Sequence, residues 1–417
     1  MDIDIPLARP SPDTVRKPMK TLLSIILITL LATIIHAEET PWTRHTIDAV
    51  EKEAGKAGAD GVRLGDLNKD GLPDIVTGWE EGGAIRVCLN PGFDRAKLHW
   101  PSVTVGKVRS PEDAVLVDLD ANGVLDVVSS TEGKERSIFF HWAPELKSIT
   151  DANQWKTDVL PASEKIEAWM FTLPFDVDQD GDMDLISGSK STGASISWFE
   201  NPGGENSRDV EKWTIHRATD AAWIMSLRIL EVGSEKFLAY SDRKGDRSGI
   251  YLIPFLKKEP WLGKPVLIGA SGEEVMFLDL ALINDDEKPD IVAALRPDKI
   301  RIFHHPENTL SLWENTSELE PLSSDKHGTA KAVRVGNLDD ADAPEYIITC
   351  EHANGQKHGT MMYQQSSGYS TISGPEGVKF DRIELLDLDG DSDLDVLTCE
   401  EREGLGVFWY ENPANRK

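Results

Sequence analysis

Short apolar runs separated by polar, turn-forming segments fill the chain from residue 42 onward. Residues 113–117 (DAVLV) are typical of the runs, and residues 185–186 (LI) are a shorter aliphatic pair that follows an acidic segment. Alternating runs rich in Val and Ile and bounded by Gly, Pro and Asp predict β-strands. The sequence beyond residue 37 contains no capped amphipathic pattern typical of a helix. The pattern therefore predicts an all-β fold.

An acidic segment of nine residues recurs along the chain, with Asp first and last and Asp or Asn at its third and fifth positions. Four copies are complete, two are weaker, and the seventh is placed by its flanks: residues 168–176 (AWMFTLPFD) align with residues 222–230 (AWIMSLRIL), so that Leu230 stands where the first Asp is expected. The seven copies begin at residues 66, 118, 176, 230, 282, 337 and 387. A near-constant spacing of this kind indicates a repeat architecture.

Each repeat also contains an aromatic strand that ends at Pro and then a strand that begins with Trp. Residues 196–202 (ISWFENP) and 213–216 (WTIH) show the two patterns. Four short strands per repeat, seven times over, predict a seven-bladed β-propeller. The Trp-led strand at residues 42–47 comes first in the chain and the aromatic strand at residues 407–411 comes last. We therefore expect the N-terminal strand to be the outer strand of the last blade and to close the ring, which removes exposed sheet edges.

The N-terminal segment is predicted to be a targeting sequence. Lys17 and Lys20 precede an uncharged run at residues 21–35, so residues 1–37 are predicted to be a secretory signal with an N-terminal extension, and Met19 is an alternative start. The run is short for a membrane span of about 20 residues, although an uncleaved anchor stays open. We expect an exported protein, secreted or periplasmic, without a membrane span after cleavage.

Composition and missing motifs argue against several classes of function for the predicted propeller, residues 38–417. The formal charge of -28 argues against a nucleic-acid partner, which selects basic surfaces. Three Cys cannot form a disulfide framework, and Cys350 and Cys399 are expected to be free and buried because equivalent strands of neighbouring blades lie too far apart for a disulfide. Sequence motifs of serine hydrolases, zinc proteases, redox dithiols and phosphate-binding loops are missing.

The acidic segments carry the chemistry of a hard cation. Calcium takes 6–8 oxygen ligands, and alternate residues of a tight loop can direct their oxygens to one point. Asp, Asn and Gly are also ordinary turn residues, but turns alone do not require the 1-3-5-9 spacing of the acids. Magnesium fits less well because it prefers strict octahedral geometry. We predict about four structural calcium ions with the ligands Asp66, Asn68, Asp70, Asp74, Asp118, Asp120, Asn122, Asp126, Asp176, Asp178, Asp180, Asp184, Asp387, Asp389, Asp391 and Asp395.

The other three copies lack a full ligand set. Leu282 is first in its copy, Ala341 takes a ligand position in the copy that begins at residue 337, and the copy at Leu230 has nothing usable. Even in the last complete copy, Ser392 replaces the Gly of the sixth position. We expect no calcium in the three blades whose copies begin at residues 230, 282 and 337.

With these motifs, residues 42–413 resemble the FG-GAP/VCBS repeat family of extracellular propellers, although the literal FG-GAP string does not occur. The resemblance implies a calcium-stabilised propeller that binds carbohydrate or protein. Some relatives are enzymes, among them polysaccharide lyases and the propeller part of aldos-2-ulose dehydratase. Fold alone does not decide between these functions.

The ligand is expected on the face opposite the acidic loops, where the loops after the second strands converge around the channel. Aromatic rings and forked donors on this face could bind a sugar. The candidate ligand-binding residues are Trp79, Trp169, Trp223, Arg243, Arg296 and His352. The alternative is that the Trp rings are core and the charged loop tips are only solvated. His45 and His216 recur with the repeat and are expected to have packing roles.

Two classes of function stay open. The favoured one is a monomeric exported binding module for a glycan or protein, because no complete catalytic constellation is present. The other is a carbohydrate-active enzyme that abstracts a proton, as a lyase or dehydratase does, with His352 or a channel carboxylate as base.

Overall fold

A computed structural model describes residues 40–49, 58–339 and 343–414. These residues form seven four-stranded antiparallel sheets, each built from chain-adjacent strands except one. The predicted seven-bladed β-propeller is confirmed. The predicted signal, residues 1–37, and Ala341 lie outside the described residues.

We number the blades in chain order and give their strands from the channel outward. Blade 1 comprises β2 (Ala59–Gly65), β3 (Asp74–Trp79), β4 (Ala84–Cys88) and β5 (Ser102–Gly106). Blade 2 comprises β6 (Pro111–Val117), β7 (Asp126–Thr131), β8 (Ile138–Trp142) and β9 (Lys156–Val159). Blade 3 comprises β10 (Ala168–Phe175), β11 (Asp184–Lys190), β12 (Ser195–Glu200) and β13 (Thr214–Asp220).

Blade 4 comprises β14 (Ile224–Val232), β15 (Glu235–Asp242), β16 (Gly249–Pro254) and β17 (Val266–Gly269). Blade 5 comprises β18 (Val275–Ala281), β19 (Asp290–Leu295), β20 (Lys299–Phe303) and β21 (Thr316–Glu318). Blade 6 comprises β22 (Thr329–Gly336), β23 (Glu345–Glu351), β24 (Thr360–Gln364) and β25 (Gly368–Thr371). Blade 7 comprises β26 (Phe380–Leu386), β27 (Asp395–Glu400), β28 (Gly406–Glu411) and β1 (Thr43–Asp48).

The helical content of the described residues is limited to 3-10 turns in the connections. These turns are Phe93–Arg95, Leu146–Ser148, Ala152–Gln154, Pro161–Ser163, Gly204–Asn206, Val210–Lys212 and Gly245–Arg247. None of the helices in the described ranges has the length and apolar character needed to cross a membrane.

The ring closes as predicted, with the N-terminal strand at the outer edge of blade 7. β1 pairs with β28 in antiparallel register, and His45 lies opposite Trp409. The indole of Trp409 also donates a hydrogen bond to the carbonyl of Ala96 in blade 1 at 3.2 Å. The ends of the described chain thus hold blade 7 together and join it to blade 1.

The core lies between the faces of neighbouring blades. Second strands such as β3 and β7 are buried at every position because sheets cover them on both sides. In the core between blades 2 and 3, Phe140 of blade 2 packs edge to face on Trp213 of blade 3 at 4.9 Å, and Trp169 and Phe199, both of blade 3, meet edge to face at 5.4 Å. Such aromatic pairs add about 0.5–1.5 kcal/mol beyond the apolar area that they bury. Aromatic and aliphatic side chains of both blades therefore form the contact between blades 2 and 3.

The cysteines behave as predicted. Cys88, Cys350 and Cys399 are free and buried. Burial in the apolar core raises the pKa of the Cys399 thiol well above its usual range. Such thiols pack as small hydrophobic groups.

Candidate metal loops and channel-mouth face

Each complete acidic segment forms the loop between the first and second strands of its blade. In blade 1, the two oxygens of Asp66 accept backbone hydrogen bonds from Asp70 and Gly71 at 3.1 and 3.0 Å. Gly71 has φ of 86°, a left-handed conformation that Gly adopts without steric cost. In blade 7, Ser392 takes the same conformation with φ of 77°. The loop therefore wraps around its own acidic side chains.

The loops bring carboxylates together as the spacing predicted. In blades 2, 3 and 7, carboxylate oxygens of the first, third and ninth positions all lie within 4.8 Å of one another. The three sets are Asp118, Asp120 and Asp126; Asp176, Asp178 and Asp184; and Asp387, Asp389 and Asp395. In blade 1, Asn68 supplies an amide at the third position.

Two loop oxygens are enclosed without a hydrogen-bond partner in the described residues. They are Oδ1 of Asp176, at the first position of its loop, and Oδ1 of Asp389, at the third position of another. A buried carboxylate oxygen without a partner is costly, and a bound cation removes that cost. All-oxygen donor sets of this kind fit calcium, so the residues present are compatible with the ion.

The ninth acid has a second role that the sequence reasoning missed. Asp184 accepts one hydrogen bond from the amide of Val177 in its own loop at 2.9 Å and one from the amide of Asn201 after β12 at 2.8 Å. The Asn201 side chain in turn donates to the carbonyl of Leu119 in the loop of blade 2 at 2.8 Å. The ninth acid therefore ties together the loop, the third strand and the neighbouring blade. The recurrent Asn-Pro pair after the aromatic strands is the signal that could have shown this.

The ninth acid of each other complete loop also accepts amide hydrogen bonds from its own loop and from a residue that follows the third strand, and in blade 7 the side chain of Asn412 likewise donates to the carbonyl of Leu338 in blade 6. Burial of these carboxylates raises their pKa values, to about 6 for Asp74, about 7 for Asp126 and Asp184, and about 8 for Asp395. Desolvation outweighs the amide hydrogen bonds to the carboxylate in each case.

Basic side chains from the next blade contact the third acid in two of the loops. Arg208 of blade 3 forms an ion pair with Asp120 of blade 2. Lys97 of blade 1 lies 2.9 Å from Asp389 of blade 7. These contacts orient the acids from outside the loop.

The remaining blades depart from the motif. In blade 4, Gly233 and Ser234 alone connect β14 to β15. In blade 5, Leu282 is 61% exposed at the first position, while Asp290 keeps the structural role by accepting the amide hydrogen bond of His305 at 2.8 Å.

The opposite side of the disc, which we call the channel-mouth face, carries the loops between the second and third strands together with the start of each first strand. One cluster of acids on this face lies on blades 7, 1 and 2 and comprises Asp60, Glu80, Glu112, Glu132 and Glu401. Lys190 of blade 3 forms ion pairs with Glu112, at 3.1 Å, and with Glu132. Burial raises the pKa of Glu112 to about 8.

Two of the predicted ligand-binding residues are core residues instead. Trp79 and Trp169 are completely buried, and the Trp169 indole donates to the carbonyl of Ser163 at 3.0 Å. A stacking platform needs an exposed ring face, so the prediction of a sugar platform is wrong for these two residues. They lie at the ends of strands rather than in loops, and the inter-blade core covers them.

Trp223 is partly exposed but surrounded by basic groups. The side-chain nitrogens of Lys190 and Lys244 lie 4.9 and 4.3 Å from its ring centre, and the guanidinium carbon of Arg243 lies 4.9 Å away. These cation–π contacts stabilise the positive groups on the blade 3 and blade 4 side of the mouth.

The other three candidates form one connected group with acids between them. Glu274 accepts hydrogen bonds from Arg243 at 2.6 Å and from Arg296 at 3.2 Å, and Arg296 also pairs with Glu351. His352 is exposed, and its Nδ1 lies 3.4 Å from an Arg296 nitrogen. Partial burial and the charge of Arg296 lower the pKa of His352. The mouth is thus acidic on one side and mainly basic on the other.

The recurrent histidines have structural partners. His216 lies 2.6 Å from Glu200 and stacks on Trp198 with ring centres 4.4 Å apart. His45 lies 2.7 Å from Glu411 and packs on Trp409. These contacts join third and fourth strands.

The fold and the acidic loops define a seven-bladed propeller whose hairpin loops could hold metal ions. Residues 66–129 match the model of the FG-GAP-like repeat, which confirms the resemblance to the FG-GAP repeat family. No curated protein gives a significant match to the sequence.

Solved propellers resemble the protein in structure. BBS1N in complex with ARL6DN and soaked with mercury shares 12% identity over 91% of this chain and 100% of that chain, with a TM-score of 0.50. The lead-soaked form of the same complex shares 10% identity over 91% and 99%, also with a TM-score of 0.50. The Dos1 propeller shares 8% identity over 90% and 95%, with a TM-score of 0.47. At such identities the likeness extends to the fold alone.

Proposed function

We propose that the protein is an exported, calcium-stabilised binding module. The observation that carries the proposal is the convergence of three carboxylates within 4.8 Å in each of three loops. Like charges at this spacing repel, and calcium would replace that repulsion with coordination. The blade 1 loop adds a fourth site, in which Asn68 provides a neutral oxygen.

The channel-mouth face is the ligand-binding surface in this proposal. Its partly exposed Trp223 is covered by basic groups, so recognition there depends on ion pairs and hydrogen bonds more than on stacking. A protein surface or a charged glycan can present the complementary groups. The BBS1N propeller, solved with ARL6DN, is a structural precedent for a protein ligand.

Paired variants test this assignment of the binding face. Arg296→Ala and His352→Ala should weaken binding on a glycan array or to a purified protein ligand, with the calcium content unchanged. Asp178→Ala should lower the calcium content and leave binding by the folded protein intact. The reverse pattern, in which only Asp178→Ala abolishes binding at full folded stability, would place the ligand at the metal loops instead.

A second candidate function is a carbohydrate-active enzyme of the lyase or dehydratase type. The observation that favours it is the pair Glu112 and Glu132 at the channel mouth. Burial raises the pKa of Glu112 to about 8. Burial also acts to raise the pKa of Glu132, but hydrogen bonds from Lys190 and from Glu112 lower it by more, so that the pKa of Glu132 is lowered. Two carboxyl groups with separated pKa values can act as acid and base. Product analysis of polysaccharides incubated with wild type and Glu132→Gln protein tests this candidate.

Export is tested separately from binding. Expression of the full chain and N-terminal sequencing of the extracellular or periplasmic product should give a start near residue 38. Retention of residues 1–37 on a membrane-bound product would show an anchor instead.

A further inference from the structure

The central channel contains an arginine that is buried and crosses to the far side of the ring. Arg382 belongs to β26, the first strand of blade 7, and is 4% exposed. Its guanidinium carbon lies 5.0 Å from the ring centre of Phe171 in blade 3 and 5.1 Å from that of Phe277 in blade 5. The two rings meet edge to face with their centres 5.4 Å apart, so the guanidinium packs in the channel against a pair of contacting rings.

The edges of this guanidinium have no acceptor. Nε and both terminal nitrogens of Arg382 lack a hydrogen-bond partner within the described part of the chain. The phenyl rings stabilise the positive charge through cation–π contact, but the N–H bonds of the guanidinium still need hydrogen-bond acceptors. Leaving several charged donors unpaired in a buried place is strongly unfavourable.

The acids of the channel are already occupied by other arginines. Asp113 accepts two hydrogen bonds from Arg63, at 3.0 and 2.7 Å, and a third from the amide of Thr172 at 3.2 Å. Arg334 donates to Asp279 at 2.7 Å and to Glu384. Each of these acids is thus held by an arginine other than Arg382.

Positive charge exceeds negative charge in the immediate surroundings of Arg382. The charged groups that interact there are the four arginines Arg63, Arg228, Arg334 and Arg382 and the three acids Asp113, Asp279 and Glu384. Arg228 donates through Nε to the carbonyl of Leu278 at 3.3 Å, a neutral partner. Burial and the charge of Arg63 lower the pKa of Arg382 to about 9, so the group remains charged at neutral pH. This local excess is notable in a chain with a net charge of -28.

We propose that the channel binds a small carboxylate anion. Arg382 is the main residue that binds the anion, and Arg63 and Arg228 add favourable positive charge. A planar carboxylate matches one edge of the guanidinium fork with two parallel hydrogen bonds. Gly61 has no side chain beside Arg382, and a Cβ atom there would lie 3.7 Å from Arg382 Cδ. This site is independent of the calcium loops and of the channel-mouth ligand.

Sodium acetate is the probe for the test, with sodium chloride at equal ionic strength as the reference. Thermal unfolding and calorimetric titration are done in excess calcium on wild type, Arg382→Met and Arg301→Met. Arg301 is the matched control because it also lies near an aromatic ring, that of Phe303, but is paired with Glu273 and Glu318. Acetate should raise the melting temperature of wild type and Arg301→Met, and Arg382→Met should lose at least tenfold in acetate affinity.

Three results would overturn the proposal. The first is a wild type that does not respond to acetate, with Arg382→Met as stable or more stable, which would mean that the rings alone hold the arginine. The second is a response to phosphate without one to acetate, which would contradict the carboxylate class. Arg382→Lys serves if Arg382→Met does not fold, because lysine keeps the charge but lacks the forked donor group. The third result is an Arg382→Lys variant that binds acetate as tightly as wild type does.

Discussion

Blades 3 and 4 are neighbours with the same four-stranded topology, but they differ in the connection between their first two strands. In blade 3, residues 176–183 form the acidic loop between β10 and β11, and Phe175 lies opposite Asp184. In blade 4, a two-residue turn joins β14 to β15, and Val232 lies opposite Glu235. A blade of this protein therefore forms without the acidic loop.

The difference shows that the loop carboxylates are not needed to turn the chain. Leu230 and Leu238 occupy the first and ninth positions in blade 4 and are buried in apolar surroundings. In blade 3 the same positions are Asp176 and Asp184, which converge with Asp178. Three carboxylates in one place destabilise a blade unless a cation joins them, so the comparison supports a separate, metal-binding role for the loop.

Removal of calcium is expected to have the largest effect. A chelator should lower the melting temperature, because each site that calcium fills at 100 times its Kd contributes about 2.7 kcal/mol. In hydrogen exchange, β10 and β11 should lose more protection than β14 and β15. Equal loss of protection in blades 3 and 4, or an unchanged melting temperature, would contradict the comparison.

Replacing the ninth acid is expected to be next in size. Asp184→Ala leaves the amides of Val177 and Asn201 without acceptors, and each buried unpaired donor costs about 1–3 kcal/mol. The loss of stability should appear in calcium and in chelator alike, as measured by urea unfolding. A loss seen only in calcium would mean that Asp184 acts through the metal alone.

The third acid should behave differently from the ninth. Asp178→Ala should lower stability by about 1–3 kcal/mol in calcium, by analogy with loss of a charged partner. In chelator it should have little effect or raise stability slightly, because it removes repulsion. Ser234→Ala in the blade 4 turn is the control and should stay within about 0.5 kcal/mol of wild type in both conditions. Equal destabilisation by Asp178→Ala in both conditions would rule out a role through calcium.

A dependence of stability on pH is expected where blades 2 and 3 meet on the channel-mouth face. The folded-state pKa of Glu112 is about 8 against an ordinary value of 4.5, because burial disfavours its charged form. The folded protein therefore binds the proton more tightly than the unfolded chain does, and stability should fall as pH rises from about 4.5 through 8. Glu112→Gln should flatten this part of the profile in urea unfolding. A profile that matches wild type would show that Lys190 keeps Glu112 charged throughout.

The fold could be predicted from the sequence because each blade repeats the same strand and turn pattern. The closure of blade 7 followed from the strand types at residues 42–47 and 407–411, and strand pairing depends on that local pattern. The convergence of Asp176, Asp178 and Asp184 also followed from spacing, since the loop is short.

The ligand face could not be predicted in the same way. Whether Trp79 is exposed depends on how a neighbouring blade packs over it, and periodicity within one strand does not contain that information. The pairing of Arg243 and Arg296 through Glu274 joins different blades, and so does the unpaired state of Arg382. Contacts of this kind arise only when the ring is assembled.

Calcium content tests the role of the acidic loops most directly. Protein dialysed against calcium-free buffer after saturation, and then measured by atomic emission and calorimetric titration, should contain four calcium ions per wild-type chain. Asp178→Ala should contain three, and Ser234→Ala should contain four. A wild-type chain without bound calcium, or an Asp178→Ala chain with the same content as wild type, would contradict the assignment of the loops as metal sites.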